Sequence, residues 1–241
     1  AMIVDSTALP EQVVRDVVAS AFQSAGQRCS ALRMLYVQED IYKHLLAMLI
    51  GAMDELKLGD PLDLSTDVGP VIDAAALKKI EGHIDEFDEK GQLLKSLEVP
   101  KSGHFARPSL IRVSGIEELA EEIFGPVLHI ATFKAGTAPK VIEAINAKGY
   151  GLTFGLHSRM ESAQGYAAHH IRGAGPRYDG ANRTAAGDPA DGANRARGVA
   201  GLWRRDRLPV AGRNGPRSRP AGLRACHGPT YEDLGDLRGF E

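Results

Sequence analysis

The chain has 241 residues, 43% of them hydrophobic, and 29 Lys and Arg against 31 Asp and Glu give a formal net charge of -2. That length can bury a sizeable core in one large domain or two small ones, and so balanced a charge gives no whole-chain argument for a nucleic-acid or membrane-surface partner. No apolar run approaches a membrane span and no basic-then-apolar start marks a signal peptide. Two distant cysteines, Cys29 and Cys226, make no disulfide framework, so a reducing, cytoplasmic setting is expected.

In chain order, "ALPEQVVRDVVASAFQSAG" places Val13, Val14, Val17, Val18, Ala21 and Phe22 on one helical stripe. Pro10 suits its first turn and Gly26 the residue just past its end. "ALRMLYVQ" reads as a short buried strand. "EDIYKHLLAMLIGAMDELKLGD" returns to helical spacing through Ile41, Leu45, Met48, Leu49, Ala52, Met53 and Leu56, stopping near Gly59 and Pro61. After the turn-rich "DPLDLSTDVGP", Asp73 caps a helix carrying Leu77, Ile80, Ile84 and Phe87 on one face. "SLIRV" and "PVLHIATFK" read as strands with a short acidic helix, "IEELAEE", between them. "APKVIEAINAKG" is helical and "YGLTFGLHSR" a further strand. Strands alternating with helices predict an α/β layered domain with a mostly parallel sheet flanked by helices, and no fixed-period repeat is present.

The composition changes near residue 171. Up to Ile171 the chain carries ten Lys and six Arg; from Arg172 to Glu241 there are 13 Arg, no Lys, no Ile and one Phe, Phe240. Residues 1–171 are therefore read as the folded domain. Residues 172–241, rich in Arg, Gly, Ala and Pro, read as an irregular tail with little apolar surface to offset backbone ordering. The tail's composition matches GC-rich coding DNA translated out of frame. Its arginines are not interleaved with aromatics for base stacking, so no nucleic-acid partner is expected.

Cys29 lies in "SAFQSAGQRCSALR", an irregular polar segment between helix and strand. A lone cysteine is ordinarily an inert core residue, whereas loops on a rigid frame carry reactive groups. Arg28 beside it would favour the thiolate, the reactive form. No second Cys or His stands at metal-ligand spacing, so no metal is expected. His83, His104, His129 and His157 have no partner spacing and read as solvent-facing or satisfied core residues, and the adjacency of Cys226 and His227 makes no dyad.

"GQRCSALR" resembles the nucleophile segment of aldehyde dehydrogenases, and "EEIFGPVLHI" resembles that family's second signature. "TDVGPVID", "KKIEGHID", "INAKGYGLTFGLHSR" and "YVQEDI" are similar to one branch, the L-glutamate-γ-semialdehyde (pyrroline-5-carboxylate) dehydrogenase module of bifunctional proline-utilisation enzymes. The resemblance covers residues 1–171 in order and spacing. It implies that Cys29 attacks the aldehyde carbon to give a thiohemiacetal, that hydride passes to NAD, and that water hydrolyses the resulting thioester. It also implies that the Cys29 backbone N–H belongs to the oxyanion hole, that Glu122 holds the nicotinamide ribose, and that Phe124 lies beside the nicotinamide end. Ser30 would donate a hydrogen bond to the substrate carboxylate; a loop-capping role for it stays open, as do a helix-end carboxylate at Glu122 and a core aromatic at Phe124. Gly125-Pro126 makes the turn into the next strand.

The family's water-activating glutamate, its second oxyanion donor and its nucleotide-binding domain resemble nothing in these 241 residues, and its later Gly-rich segments are absent from the tail as such. The expectation is a polypeptide that neither binds NAD well nor turns over aldehyde. Its parent family is homo-oligomeric, yet this chain is not expected to assemble normally. Its Val13/Val17/Phe22 stripe is expected to be exposed and prone to aggregation. Two other classes remain open: a thiol acyltransferase or hydrolase using Cys29 with a nearby His, and a non-enzymatic protein whose basic tail binds nucleic acid.

Overall fold

A computed structural model of the chain describes residues 1–171. The expectations for the tail, including Cys226 and His227, fall outside the described residues. Six strands form one sheet: β1 (Met2–Val4), β2 (Met34–Gln38), β3 (Leu93–Ser96), β4 (Ser109–Arg112), β5 (Val127–Phe133) and β6 (Gly155–His157). Their order is β3-β4-β5-β2-β1-β6. All neighbours are parallel except β3, which pairs antiparallel with β4 at the edge.

The central strands are buried on both faces: every residue of β1 and β2 is buried, and in β5 every residue but Thr132. Such near-continuous apolar runs belong to a parallel sheet covered by helices. Those helices are α1 (Pro10–Phe22), α2 (Glu39–Asp54), α3 (Ala74–Glu89), α4 (Ala138–Lys148) and α5 (Glu161–His170). Helices α1 and α2 pack against each other and against β5, and α3 against β3 and β4. Spacing explains the buried faces: Leu45, Leu49 and Met53 in α2, Ile80, Ile84 and Phe87 in α3. Asp73 caps α3 as expected, its Oδ1 accepting from the Ala76 N–H at 2.7 Å. Gly149, at φ 82°, closes α4 in the left-handed conformation that glycine adopts without steric cost.

Several expectations need correction. The acidic stretch 116–122 forms only a 3-10 turn, Ile116–Glu118. Glu118 folds back to accept from the Ser114 N–H at 2.6 Å, a local bond that competes with helix, while Leu119 and Ile123 enter the core. The strand expected over 150–159 is confined to Gly155–His157. The Val13/Val17/Phe22 stripe is buried, at 0%, 1% and 1% exposure, because α2 and the sheet cover it. Exposed apolar side chains lie elsewhere, at Leu62, Leu64 and Ile72 of the linker before α3.

Candidate active site

Helix α1 ends at Phe22, earlier than Gly26 predicts, and the chain then makes a 3-10 turn over Gln23–Gly26. Ser24, Ala25 and Gly26 all have positive φ, at 56°, 50° and 63°. Two of these are L residues with a Cβ, which costs roughly 1–2 kcal/mol each in this region. The turn winds the chain back so that residues 27–33 approach β2 from its N-terminal end. The Leu32 N–H donates to the Ser20 carbonyl at 3.1 Å, and the Ile72 N–H donates to Gln27 Oε1 at 2.8 Å. "TDVGPVID" is thereby docked on the Cys29 loop.

Cys29 is an exposed free thiol, and its backbone N–H donates to no other described residue. Arg28 points back along α1, its Nη2 donating to the Ala19 carbonyl at 3.2 Å and to Gln23 Oε1 at 3.4 Å.

The two signature segments meet backbone to backbone. A Cβ added to Gly26 would lie 2.0 Å from the Gly125 carbonyl oxygen, so only a hydrogen fits there. Gly125 in turn lies beneath Ile80 of α3; a Cβ there would meet that side chain at 2.7 Å. Across this contact reaches Arg33, whose role residue spacing did not reveal. Its Nη2 donates to the Arg28 carbonyl at 3.1 Å, its Nη1 to the Gly125 carbonyl at 3.1 Å, and its Nε faces Glu122 Oε1 at 3.4 Å. The guanidinium carbon also lies 5.0 Å from the centre of the Phe124 ring, a cation–π distance. Burial lowers the Arg33 pKa and the neighbouring Glu122 opposes that shift, so the guanidinium stays charged.

A cavity of about 240 Å³ opens here, lined by Cys29, Arg33, Glu122, His129, Lys148 and Thr153 among others. Cys29 and Glu122 are thus brought to one cavity. Ser30 lines a second space of about 140 Å³ with Arg28, Gln23 and Thr153, and its carbonyl accepts from Thr153 Oγ1 at 3.4 Å. Phe124 lines neither; it is 47% exposed beneath Arg33, which sets aside a core role for it.

All these segments precede strands. Residues 28–33 lead into β2, 119–126 into β5 and 150–154 into β6, so the site lies at the N-terminal edge of the parallel sheet, whereas crevices of open parallel sheets ordinarily lie outside the carboxyl ends. At the carboxyl edge the segment after β1 bonds its neighbours, the Ser6 N–H donating to Gln38 Oε1 at 3.2 Å and the Arg159 N–H to Thr7 Oγ1 at 2.8 Å.

His129 lines the same cavity as Cys29, yet both its ring nitrogens are engaged. Nδ1 is 3.0 Å from the Arg33 carbonyl and Nε2 is 2.8 Å from Nε2 of His83. It is a satisfied core histidine, as its sequence context suggested, and among the described residues no His hydrogen-bonds to Cys29. His157, half-buried, lies 3.7 Å from Asp16. Among the described residues no group of three or more His, Cys, Asp or Glu is placed to hold a metal.

The cavity suits the ribose end of a nicotinamide dinucleotide. The Glu122 side chain, 25% exposed and held by Arg33, offers acceptor oxygens for hydroxyl donors beside apolar Ile123 and Leu152. Among the described residues no glycine-rich turn joins a strand to a helix, so the pyrophosphate has no cradle of that kind in this segment.

An α/β sheet here presents a free cysteine and a glutamate held by arginine in one cavity. Residues 1–189 match the Aldehyde dehydrogenase family, and the chain belongs to that family. It is 50% identical over 169 residues to the bifunctional protein PutA of Klebsiella aerogenes, covering 67% of this chain and 13% of that protein. It is 35% identical over 174 residues to 1-pyrroline-5-carboxylate dehydrogenase of Geobacillus thermodenitrificans, covering 71% and 33%. A crystal structure of Bradyrhizobium japonicum Proline Utilization A superposes with a TM-score of 0.69 at 44% identity, covering 71% of this chain and 18% of that one. The chain thus spans about a third or less of the length of these relatives. No helix among the described residues is long and apolar enough to cross a membrane.

Proposed function

We propose that residues 1–171 are the nucleophile-bearing part of an NAD-dependent dehydrogenase that oxidises L-glutamate γ-semialdehyde to L-glutamate in proline catabolism. The observation that carries this reading is the junction of the Cys29 loop and the Glu122–Gly125 segment through Gly26 and Arg33. Two segments far apart in sequence line one cavity, and the relatives that the chain is similar to include PutA and 1-pyrroline-5-carboxylate dehydrogenase.

In this reading the Cys29 thiolate bonds to the aldehyde carbon as the carbonyl π pair moves onto oxygen. The Cys29 N–H, bonded to no other described residue, donates to that oxygen as its charge develops, where such a donor is worth most. Glu122 accepts from the nicotinamide ribose hydroxyls and Phe124 flanks the nicotinamide end. When bound, NAD supplies the hydride acceptor that leaves a thioester on Cys29, which water then cleaves. Ser30, in the space it shares with Arg28, donates to the substrate carboxylate. A free, exposed thiol suits a reducing cytoplasm.

The test is protection of Cys29. Iodoacetamide labelling located by mass spectrometry, with Cys226 counted apart, is expected to be blocked saturably by L-glutamate γ-semialdehyde. A simple aliphatic aldehyde lacking the amino acid end is expected to protect poorly. Equal protection by both, or none by either, refutes the assignment.

A further inference from the structure

We propose that Arg33 is a positioning residue that sets the oxyanion donor and the cofactor carboxylate in one grip; this rests on the roles given above to Cys29 and Glu122.

The carbonyl that Arg33 Nη2 holds, that of Arg28, and the Cys29 N–H belong to the same peptide unit. A trans peptide is planar, so fixing its C=O direction fixes the N–H in the opposite direction. The Ala31 N–H also donates to the Arg28 carbonyl, at 3.1 Å, giving that oxygen two donors. Without Arg33 the peptide keeps one turn-type bond and gains freedom to rock about its flanking dihedrals. The other nitrogens of the same guanidinium reach the second segment, Nη1 at the Gly125 carbonyl and Nε at Glu122.

Arg33 suits this task better than a lysine. A rigid fork directs three nitrogens to three partners at fixed mutual angles, whereas an ammonium is a point charge on a flexible stem. Its own backbone is pinned as well: the Arg33 carbonyl accepts from the His129 N–H at 2.9 Å and lies 3.0 Å from His129 Nδ1. The Arg33 side chain is 12% exposed; its bonds to Glu122 and Gly125 are part-buried, and the one to Arg28 lies at the surface.

The experiment compares the full chain with Arg33→Lys and Arg33→Gln. Three quantities are read: the iodoacetamide rate at Cys29, the concentration of L-glutamate γ-semialdehyde giving half protection, and the order parameter of the Cys29 amide from nitrogen relaxation. Displacement of iodide develops no oxyanion, whereas addition to an aldehyde does. Both variants are therefore expected to keep the iodoacetamide rate within about twofold and to raise the half-protecting concentration about tenfold, since the donor is loosened and not removed, where removal costs about 100- to 1,000-fold. The Cys29 amide order parameter is expected to fall from about 0.85 to below about 0.6.

An unchanged half-protecting concentration with an unchanged order parameter overturns the proposal. So does a labelling rate that rises in step with the half-protecting concentration, the mark of general loosening. If the unsubstituted chain is not protected at all, the substrate assignment fails, and the order parameter alone then decides on Arg33.

Discussion

The carbonyl oxygen of Arg33 is met twice by His129, by its backbone N–H at 2.9 Å and by its ring Nδ1 at 3.0 Å. An oxygen opposite Nδ1 requires the proton on that nitrogen, so the neutral ring leaves Nε2 as an acceptor for His83 Nε2–H at 2.8 Å. Protonating His129 would turn two Nε2–H donors against each other.

Burial therefore holds the pKa of His129 down, to about 4, and lowers that of His83 also. A histidine with a depressed folded pKa destabilises the fold only when protons compete. Its contribution is complete above the unfolded value near 6.5 and is lost as pH falls toward about 4. At about 1.4 kcal/mol per unit the loss reaches about 3 kcal/mol. Urea unfolding of the chain is expected to show this decline across that window, and His129→Leu to flatten it relative to the unsubstituted chain.

Gly26→Ala is expected to be the most disruptive small substitution in the site. Its Cβ would stand 2.0 Å from the Gly125 carbonyl oxygen, which is backbone held by Arg33, at a φ of 63° that alanine resists. Overpacking and left-handed strain together should cost more than about 3 kcal/mol. A loss under about 1 kcal/mol in thermal unfolding would show that the two segments yield easily.

The neighbouring Ser24→Gly points the other way. Ser24 is exposed, sits at φ 56°, and serves its neighbours through its backbone carbonyl. Removing its Cβ relieves left-handed strain, so a gain of about 0.5–1 kcal/mol is expected after the entropy that glycine adds to the unfolded chain. A lowered melting temperature would contradict this.

Asp73→Ala tests the cap of α3. Losing the bond from the Ala76 N–H should lower stability by about 1 kcal/mol. Because α3 carries Ile80 against Gly125, faster labelling of Cys29 in the variant would report that the helix also supports the site.

The parts legible in sequence were those with a repeating reason. Valines at helical spacing marked α1, Asp73 announced α3, and the apolar run 126–134 announced β5. Met2–Val4 is too short to show any period, and β3 lies at an edge with all four residues half-buried, so neither shows a periodic pattern. Helix α5 buries only Ala167, leaving no stripe to find. In the site, Cys29 and Glu122 stood out through motifs. Arg33 did not, because its partner Glu122 lies 89 residues away and its other partners are carbonyls common to every residue.

The Gly26–Gly125 contact has a bearing on how this architecture tolerates change. The absent side chain of Gly26 determines the separation of the segments that carry Cys29 and Glu122, while that of Gly125 makes room for Ile80. Any residue larger than glycine at Gly26 would act as a spacer, widening the aperture between thiol and carboxylate by about the width of a methyl group. The distance between the Cys29 thiol and the Glu122 carboxylate is therefore tuned by subtraction, and enlarging Gly26 would shift it while leaving both side chains in place.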